Sequence, residues 1–300
     1  AALLILDEPT AVLTPQEVVD LFRILRQMAA AGHALIFISH KLNEVLSLTD
    51  RITVLRDGRV VGEVPTREAT RESLVRMMVG REVSLRVERE PVTLGAPRLT
   101  IQGLTALSDR KTPALRGANL DIRAGEIVGL AGVSGNGQRE LAEVIAGLRK
   151  ATGGVVTIDD QDITYADVPT RRATGLAYIP EERMRDGAIR TFSEAENAVL
   201  QTHAGPPIAR AGVLNFRAIR ETTAQMVTAF NVKTPGQHTP LRNLSGGNIQ
   251  KLILAREMSR HPRVLIAAQP TRGVDIGATL YIHRVLLDQR AAGTATLLIS

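Results

Sequence analysis

The sequence predicts an α/β fold, because apolar strands alternate with amphipathic helices along the chain. Apolar runs such as residues 2–6 and Val264–Ala268 are typical of strands covered on both faces in a parallel sheet. After the first run, apolar residues recur at helical spacing, namely Val18, Leu21, Phe22, Leu25 and Met28. Strands that alternate with such helices are the pattern of α/β domains.

Short-range signals place the first elements. Thr14, Pro15 and Glu17 form a capping-box pattern with proline at the first helical position. Gly32 is placed to end that helix, and the apolar run Ala34–Ile38 predicts the next strand.

A hairpin and a domain boundary follow. Residues 52–55 and 59–64, joined by Asp57 and Gly58, predict a β-hairpin. Residues 66–80 have the pattern of a helical tail. Residues 81–97 have mixed charge, two prolines and no clear period, which predicts a linker.

A new domain is predicted from Arg98 onward. Residues 99–103 and 118–122 are expected to be strands that flank a loop, and a further strand leads into a Gly-rich turn at 125–132. Residues 139–148 are expected to form the helix after that turn.

An internal repeat relates the two parts of the chain. Residues 4–10 (LILDEPT) match 265–271 (LIAAQPT) at an offset of 261 positions, and residues 35–39 match 296–300 at the same offset without a gap. A period of domain length indicates a duplicated domain rather than a solenoid. We therefore expect both chain ends to lie inside a domain, with three parts: the C-terminal part of a first copy at 1–80, a linker at 81–97, and a second copy at 98–300.

Composition narrows the classes of function. The net charge is +6, but the basic residues are scattered and aromatic residues make up 3% of the chain, so we expect no nucleic-acid partner. The absence of Cys fits a reducing compartment. No apolar run approaches the roughly 20 residues of a membrane span, and no signal peptide is recognisable at the N-terminus.

The Gly-rich turn is a candidate phosphate-binding loop, because it joins a strand to a helix whose first N–H groups would face an anion. The pattern G-x-x-x-x-G-K-[ST] would continue with Lys and a hydroxyl residue, but the chain has Gln138 and Arg139. The chain therefore lacks the Lys charge that would contact the phosphates and the hydroxyl that would bind Mg²⁺. The alternative is a tight turn that binds no ligand. The turn residues proposed to contact the nucleotide are Gly132, Ser134, Gly135, Asn136 and Gly137.

The segment LSGGN predicts a second anion site. Ser245, Gly246, Gly247 and Asn248 open a helix whose apolar residues are Ile249, Leu252, Ile253 and Met258. Free N–H groups at a helix start attract anions, whereas the simpler interpretation is an ordinary serine cap.

Three further polar residues follow predicted strands. Asp7 and Glu8 end the first apolar run, where Asp7 would hold Mg²⁺ and Glu8 would polarise an attacking water. His40 follows the strand Ala34–Ile38, at the carboxyl end where ligands gather in such sheets. A lone His is usually structural, but its spacing from Glu8 and the preceding strand favour a role at a γ-phosphate.

Together these motifs resemble the ATP-binding cassette (ABC) ATPases. LSGGN at 244–248 resembles the family signature, LLILDEPT at 3–10 its Walker B strand and D-loop start, and ISH at 38–40 its H-loop. The resemblance covers nearly the whole chain. It implies the P-loop cassette fold, a mixed parallel sheet with an antiparallel β subdomain and a helical subdomain at about 182–260, here duplicated. It also implies ATP and Mg²⁺ as cofactors.

Other segments look similar to a narrower group, the simple-sugar and nucleoside importer ATPases. These segments are GVSGNGQ at 132–138, PEER at 180–183 with Glu181 where a Q-loop Gln would be expected, and AAQPTRGVD at 267–275. The segments GNGQ and AAQPTRG are more similar to those of the nucleoside branch than to those of the ribose or galactose branch.

The resemblance also implies how sites are formed, since paired cassettes of this family share them head to tail. One site would combine Asp7, Glu8 and His40 with Ser245, Gly246 and Gly247, its Walker A lying upstream of the chain. The other would use the altered groups Gly132–Arg139, Glu181, Ala268 and Gln269, and would bind nucleotide weakly or hold it without turnover. Asp275 in the second D-loop, where the first has Thr14, agrees with this assignment.

The implied partners are integral-membrane permease subunits, with an extracellular or periplasmic binding protein acting indirectly, at the cytoplasmic face of the membrane. The isolated chain is expected to hydrolyse ATP poorly. One alternative is a soluble double-cassette ATPase that acts on ribosomes, although the short linker and the altered site disfavour it. Chromosome-organising ATPases are disfavoured because no sustained heptads appear, and a non-enzymatic interaction module stays a third alternative.

Overall fold

A computed structural model describes residues 2–11, 13–56, 58–80, 90–133 and 135–300 of the protein. These residues form two compact units. The first comprises the described residues up to 80 together with Asp275–Leu280, and the second comprises those from 90 to Val274 together with Tyr281–Ser300. Of the predicted linker, residues 90–96 have neither helix nor strand, and residues 81–89 lie outside the described part.

The chain alternates strands and helices as predicted. The strands are β1 (Leu3–Asp7), β2 (Ala34–Ile38), β3 (Arg51–Arg56), β4 (Arg59–Pro65), β5 (Pro97–Leu107), β6 (Pro113–Arg123), β7 (Ile127–Leu130), β8 (Gly153–Ile158), β9 (Gln161–Asp162), β10 (Leu176–Ile179), β11 (Ala209–Arg210), β12 (Val213–Leu214), β13 (Val264–Ala268) and β14 (Ala295–Ile299). The helices are α1 (Pro15–Ala30), α2 (Leu42–Leu48), α3 (Arg71–Val79), α4 (Gln138–Ala146), α5 (Val168–Ala173), α6 (Glu194–Ala198), α7 (Phe216–Ala229), α8 (Gly246–Met258) and α9 (Ile276–Ala291).

In the first unit, β1 and β2 form a parallel pair, and α1 connects them. The capping box at the start of α1 is present as predicted: Glu17 accepts the Thr14 backbone N–H at 2.7 Å, and the Thr14 hydroxyl accepts the Glu17 N–H. Gly32 follows the helix with φ of 87°, the left-handed conformation that ends helices. The predicted hairpin is β3–β4, with Asp57 of its turn outside the described residues. The core of the first unit contains Leu42, Val45, Ile52, Val54, Leu74 and Val75.

The second unit is built on a four-stranded parallel sheet in the order β10-β13-β14-β7. Every residue of β13 is buried, as the continuous apolar run predicted for a strand with neighbours on both sides and both faces covered. Helix α4 contributes Leu141, Val144 and Ile145 to the same core.

The antiparallel strands form a sheet of their own, in the order β6-β5-β8-β9. This is the antiparallel β subdomain that the resemblance implies. The parallel sheet contains no antiparallel strand among the described residues, because β5, β6 and β8 pair with one another rather than with the parallel strands. Strands β5 and β6 extend beyond the predicted 99–103 and 118–122, and shifts in register allow the longer pairing.

The predicted helical region contains α6, α7 and α8, together with the short hairpin β11–β12. The predicted apolar residues of α8 are all buried, but so are Gln250, Arg256 and Glu257. Arg256 is satisfied by the carbonyls of Gly187 and Asn197, at 2.8 and 3.3 Å. Buried polar groups of this kind need such partners, because leaving them unpaired is costly.

Two strand pairs of the described structure share an offset of 261 positions in their register. Leu3 pairs with Ala34 in β1–β2, and Val264 pairs with Ala295 in β13–β14, so the two pairings share one offset. Helices α1 and α9 have 16 residues each and begin and end at corresponding positions.

The residue just after β1 and the residue just after β13 have the same backbone conformation. Glu8 and Gln269, at corresponding positions, both have φ of 47°. Each donates its backbone N–H to the carbonyl of the neighbouring strand, Glu8 to Ile38 at 2.9 Å and Gln269 to Ile299 at 2.8 Å. Non-glycine residues rarely adopt positive φ, so its recurrence at the same offset is a specific likeness.

The prediction that β1 is buried on both faces is wrong for the described structure. Leu3 and Ile5 are 50% and 59% exposed. The reason is that β1 has a single strand neighbour, whereas β13 lies between β10 and β14 and against the core that α4 shares. Within the part of the chain that the structure describes, no helix is both long and apolar enough to span a bilayer.

Candidate functional site

The ends of β1 and β2 bring together two of the predicted catalytic residues. One carboxylate oxygen of Glu8, Oε1, lies 2.7 Å from Nδ1 of His40 and accepts the His40 backbone N–H at 3.1 Å. The other, Oε2, is buried and has no hydrogen-bond partner in the described structure. The pair thus fixes one carboxylate oxygen and leaves the second without a hydrogen bond in the described structure.

Asp7 is exposed beside this pair, at the last position of β1. The described residues contain no cluster of three His, Cys, Asp or Glu side chains that would hold a metal ion. A single carboxylate nevertheless fits Mg²⁺, which protein sites usually bind through one or two carboxylates together with substrate phosphates and water.

A polar network that the motifs did not predict ties the two strand ends together. The Thr10 side chain is buried and donates to Glu44 Oε2 at 2.6 Å. Lys41 Nζ contacts the Thr10 carbonyl at 3.0 Å and Glu44 Oε1 at 3.2 Å. Because Thr10 follows Glu8 and Lys41 follows His40, this network fixes the turn that carries each catalytic candidate.

The Gly-rich turn before α4 has the conformation of a tight strand-to-helix connection. Gly135 and Gly137 have φ of 95° and 97°, and Gly137 is the N-cap of α4. The Gln138 amide Nε2 donates to the Val133 carbonyl at 3.1 Å, across the turn and close over Gly132. Asn136 is exposed, and Ser134 lies outside the described residues.

The turn therefore fits an anion through its backbone and the start of the helix. Its attraction for a phosphate is weaker than that of a phosphate-binding loop with Lys at position 138. The donor at position 138 is a neutral amide, already engaged with the turn itself. An ammonium at that position would add a full positive charge toward a phosphate.

Arg139, predicted to contact nucleotide, lies along α4 in ion pairs. Its Nε is 2.6 Å from Glu143 Oε1, and its Nη1 is 3.6 Å from Asp109. Arg149 completes the cluster, at 2.7 Å from Glu143 and 2.6 Å from Asp109. The hydrogen bond from Arg149, followed by its charge, lowers the pKa of the Asp109 carboxyl. The structure thus pairs Arg139 with two acids rather than presenting it to the turn.

The far end of α4 is held by a buried arginine that the motifs did not reveal. Arg171 is 2% exposed and donates to the carbonyls of Val144 and Ile145 at 2.6 and 2.8 Å. It also donates to the Thr164 and Ala166 carbonyls. These bonds satisfy carbonyls that a helix end leaves without partners.

The segment LSGGN opens α8 as predicted. Ser245 is the exposed N-cap residue, with φ and ψ of −65° and 153°, and its side chain makes no capping hydrogen bond. Its hydroxyl instead accepts from the Asn248 amide at 2.9 Å. The first N–H groups of a helix have no intrahelical partner, so Gly246 and Gly247 offer donors at a positive helix end.

At the end of β13, the altered residues occupy the positions that correspond to Asp7 and Glu8. Ala268 is buried, and Gln269 has no carboxylate to offer. Glu181 is drawn into an ion pair with Arg272, whose Nη1 lies 2.5 Å from Glu181 Oε1. The motifs did not predict the contact of Arg272, although the sequence shows Arg at 272 and Ala11 at the position 261 residues earlier.

Asp275 is placed as a helix cap. Its Oδ1 accepts the Ala278 N–H at 2.8 Å at the start of α9. Thr14, 261 positions earlier, caps α1. Both residues therefore have a structural task, whatever they contribute to a D-loop.

The chain is similar in sequence and fold to known proteins. The ABC transporter family model matches residues 115–272. The chain is 47% identical over 300 residues to "Glucose import ATP-binding protein TsgD13" of Haloferax volcanii, covering 99% of this chain and 54% of that protein. It is 41% identical to "Nucleoside import ATP-binding protein NupA" of Lactococcus lactis, covering 100% of this chain and 59% of that protein. The chain thus spans somewhat more than half the length of these relatives.

Solved structures show the same fold. A nucleotide-free ATP-binding cassette from an ABC transporter aligns with a TM-score of 0.57 and 19% identity, covering 68% of this chain and 81% of that one. Since the family model matches more than half of the residues, the chain belongs to the ABC transporter family and contains an ATP-binding cassette.

Proposed function

We propose that the chain is part of the ATP-hydrolysing subunit of an importer for sugars or nucleosides. The observation that carries the proposal is the Glu8–His40 pair, with one carboxylate oxygen fixed at 2.7 Å and the other buried without a partner. A base held in this way can orient a water and accept its proton. The relatives are named as import ATP-binding proteins for glucose and for nucleosides, which supports the transport role.

The nucleoside branch of the importers has partial support. Relatives named for nucleoside and guanosine import are 41% identical, against 34% for a relative named for ribose, galactose and methyl galactoside import. The glucose importer is 47% identical, so sugar transport is equally compatible with the sequence.

We further propose that the chain contains parts of two cassettes. The common register of β1–β2 and β13–β14 supports it, as does the positive φ shared by Glu8 and Gln269. The family model matches one cassette-sized segment, 115–272, and residues 3–80 lie outside that match. The greater length of the relatives is in keeping with a second cassette.

In this proposal the two copies differ in catalytic capacity. The first supplies Asp7 for Mg²⁺, Glu8 as the base and His40 beside it. The second has Ala268, Gln269 and Gln138 at the corresponding functional positions, and therefore lacks a metal ligand, a base and a phosphate-binding charge. The family resemblance further predicts that Ser245–Gly247 complete the site of Glu8 when two cassettes pair head to tail.

ATP and Mg²⁺ would then supply the transferred phosphoryl group and neutralise its developing charge. Glu8 would orient the attacking water through its carboxylate and take its proton. His40 would keep the Glu8 carboxylate in place through Nδ1. The turn 132–138 would bind phosphate through backbone N–H groups with little stabilisation of charge.

The proposed partners are permease subunits in the membrane, with the protein at the cytoplasmic face and a substrate-binding protein acting outside. The names of the relatives support this proposal. A ribosomal role has no support from these names, and we do not propose it.

The test compares Glu8→Gln with Gln269→Glu in the full-length protein purified with its permease. We expect Glu8→Gln to lower ATP hydrolysis about 10²–10⁴-fold, because it removes the general base. Gln269→Glu should leave the rate within about twofold, since Ala268 and Gln138 still lack the other groups.

Asp20→Asn is a matched control, because Asp20 is exposed and pairs with Arg23 at 3.2 Å. Full activity in Glu8→Gln would refute the assignment of the base. A second turnover site, gained in Gln269→Glu, would refute the assignment of a silent copy.

A further inference from the structure

We infer that Arg183 and Arg272 position the signature segment Ser245–Gly247, so that the altered cassette holds it in place without help from nucleotide. This inference rests on the proposed function, in which that segment serves the hydrolytic site. We call the two residues the arginine clamp.

Arg272 forms the first half of the clamp. It lies in the turn after β13, and its Nη1 reaches Glu181 Oε1 at 2.5 Å and Glu182 Oε1 at 2.9 Å. These two acids lie in the loop after β10, where the family resemblance expects a Q-loop Gln. One guanidinium therefore ties the loop at 180–183 to the turn at 269–273.

Arg183 forms the second half and runs in the opposite direction. Its Nη1 donates to the Arg272 carbonyl at 2.7 Å, and its Nη2 donates to the Gly273 carbonyl at 2.9 Å. The loop thus holds the turn through backbone atoms, while the turn holds the loop through a side chain. Burial lowers the pKa of the Arg183 guanidinium, and the nearby Arg272 charge adds to that effect.

The signature helix α8 begins directly against the clamp. A Cβ added to Gly246 would lie 2.8 Å from Arg183 Nη2 and 3.3 Å from the Gly273 carbonyl. Hydrogen in place of a side chain at Gly246 is what permits this approach. Any displacement of Arg183 or of the turn would therefore be transmitted to the first residues of α8.

The first copy has no counterpart of the Arg272 contact. Position 11, which corresponds to 272, is Ala. The clamp consequently belongs to the cassette that lacks Asp, Glu and Lys for nucleotide. In that cassette a fixed ion pair joins the loops that bound nucleotide and Mg²⁺ would otherwise order.

The side chains are partly exposed, at 36% for Arg272 and 33% for Glu181, so the pair is expected to contribute little to global stability. Its effect should instead be local. A displacement of about 1 Å in a group that contacts the transition state can cost on the order of 10²-fold in rate.

The first measurement is hydrogen exchange of the full-length protein without nucleotide. Arg272→Gln and the double variant Glu181→Gln with Glu182→Gln should each raise exchange at residues 244–249 about tenfold, through local opening. Arg217→Gln serves as the control, because Arg217 pairs with Glu221 at 2.8 Å on an exposed part of α7. Unchanged exchange at 244–249, or a uniform rise across the second unit, would overturn the inference.

The second measurement is ATP hydrolysis with the permease. Arg272→Gln should lower kcat about 10–100-fold and leave KM for ATP within about twofold, because a misplaced signature weakens transition-state contacts. The exchanged pair Glu181→Arg with Arg272→Glu should recover part of the loss relative to Arg272→Glu alone.

A loss that appears in KM, or no recovery in the exchanged pair, would count against positioning. If the unmodified protein does not hydrolyse ATP, the proposed function fails, whereas the exchange experiment still decides whether the clamp holds α8.

Discussion

Two strand pairs of the same register have very different surroundings in this protein. In β1–β2, Ile5 and Ile36 are 59% and 46% exposed, whereas the corresponding Ile266 and Leu297 of β13–β14 are fully buried. The local sequence sets the strands and their pairing in both units. Burial of a strand face depends on the elements that pack around the strand. For β13–β14 these are the neighbouring strands β10 and β7 and the core to which α4 contributes.

The largest expected effect contrasts the two corresponding isoleucines. Ile266→Ala should lower the free energy of unfolding by about 2–5 kcal/mol, because it removes buried atoms and leaves a cavity. Ile5→Ala should cost less than about 0.5 kcal/mol in the 300-residue chain, since its side chain is mostly exposed.

Urea unfolding measures the first effect. Tyrosine fluorescence reports on the second unit, which contains Tyr165, Tyr178 and Tyr281, the three Tyr of the chain. Hydrogen exchange of β2 reports on the first unit. If the chain contains part of a second cassette, Ile5→Ala should instead cost about 2–5 kcal/mol in the full-length protein. An equally small cost there would contradict the duplication.

The next prediction concerns a polar group that is buried in the second unit with few partners. Glu194 is 0% exposed, and neither carboxylate oxygen makes a hydrogen bond of good geometry, so that only a weak contact with the Thr234 side chain opposes the effect of burial. Burial raises the pKa of its carboxyl. The folded state therefore binds the proton more tightly than the unfolded state, and stability falls as the pH rises through and above the ordinary range of a glutamate.

Glu194→Gln should remove this dependence. At neutral pH we expect the variant to be more stable, because the neutral amide avoids burying the charge of an ionised carboxylate. Below the ordinary pKa of glutamate, both proteins should have similar stability. Thermal unfolding of both proteins at a series of pH values tests this prediction. A stability difference that does not vary with pH would contradict the raised pKa of Glu194.

Motif spacing and apolar periodicity were sufficient to predict most strands, the capping box and the proximity of Glu8 to His40. They could not predict the exposed face of β1, because exposure depends on which strands are neighbours. They also assigned Arg139 to the nucleotide, since side-chain direction depends on Glu143 and Asp109, which no motif includes.

Contacts between distant residues account for the other omissions. Arg171 reaches carbonyls of α4, and Arg272 reaches acids in the loop after β10. Nothing in the local sequence marks Arg171 as different from the other arginines, so its contacts emerge from the fold. The Arg272 difference from Ala11 was the one available signal, and its partner was not predictable from spacing.

The smallest expected effect concerns the two helix caps that stand at corresponding positions. Thr14→Ala and Asp275→Ala should each cost about 1 kcal/mol, because each removes the acceptor for an N–H in the first turn. Thr14→Asp should be nearly neutral, since Asp275 performs the same task in α9. Hydrogen exchange in the first turns of α1 and α9 gives the local effect, and Arg23→Gln is the control. Should Asp275→Ala leave exchange in α9 unchanged but lower ATP hydrolysis, the carboxylate serves the D-loop rather than the helix.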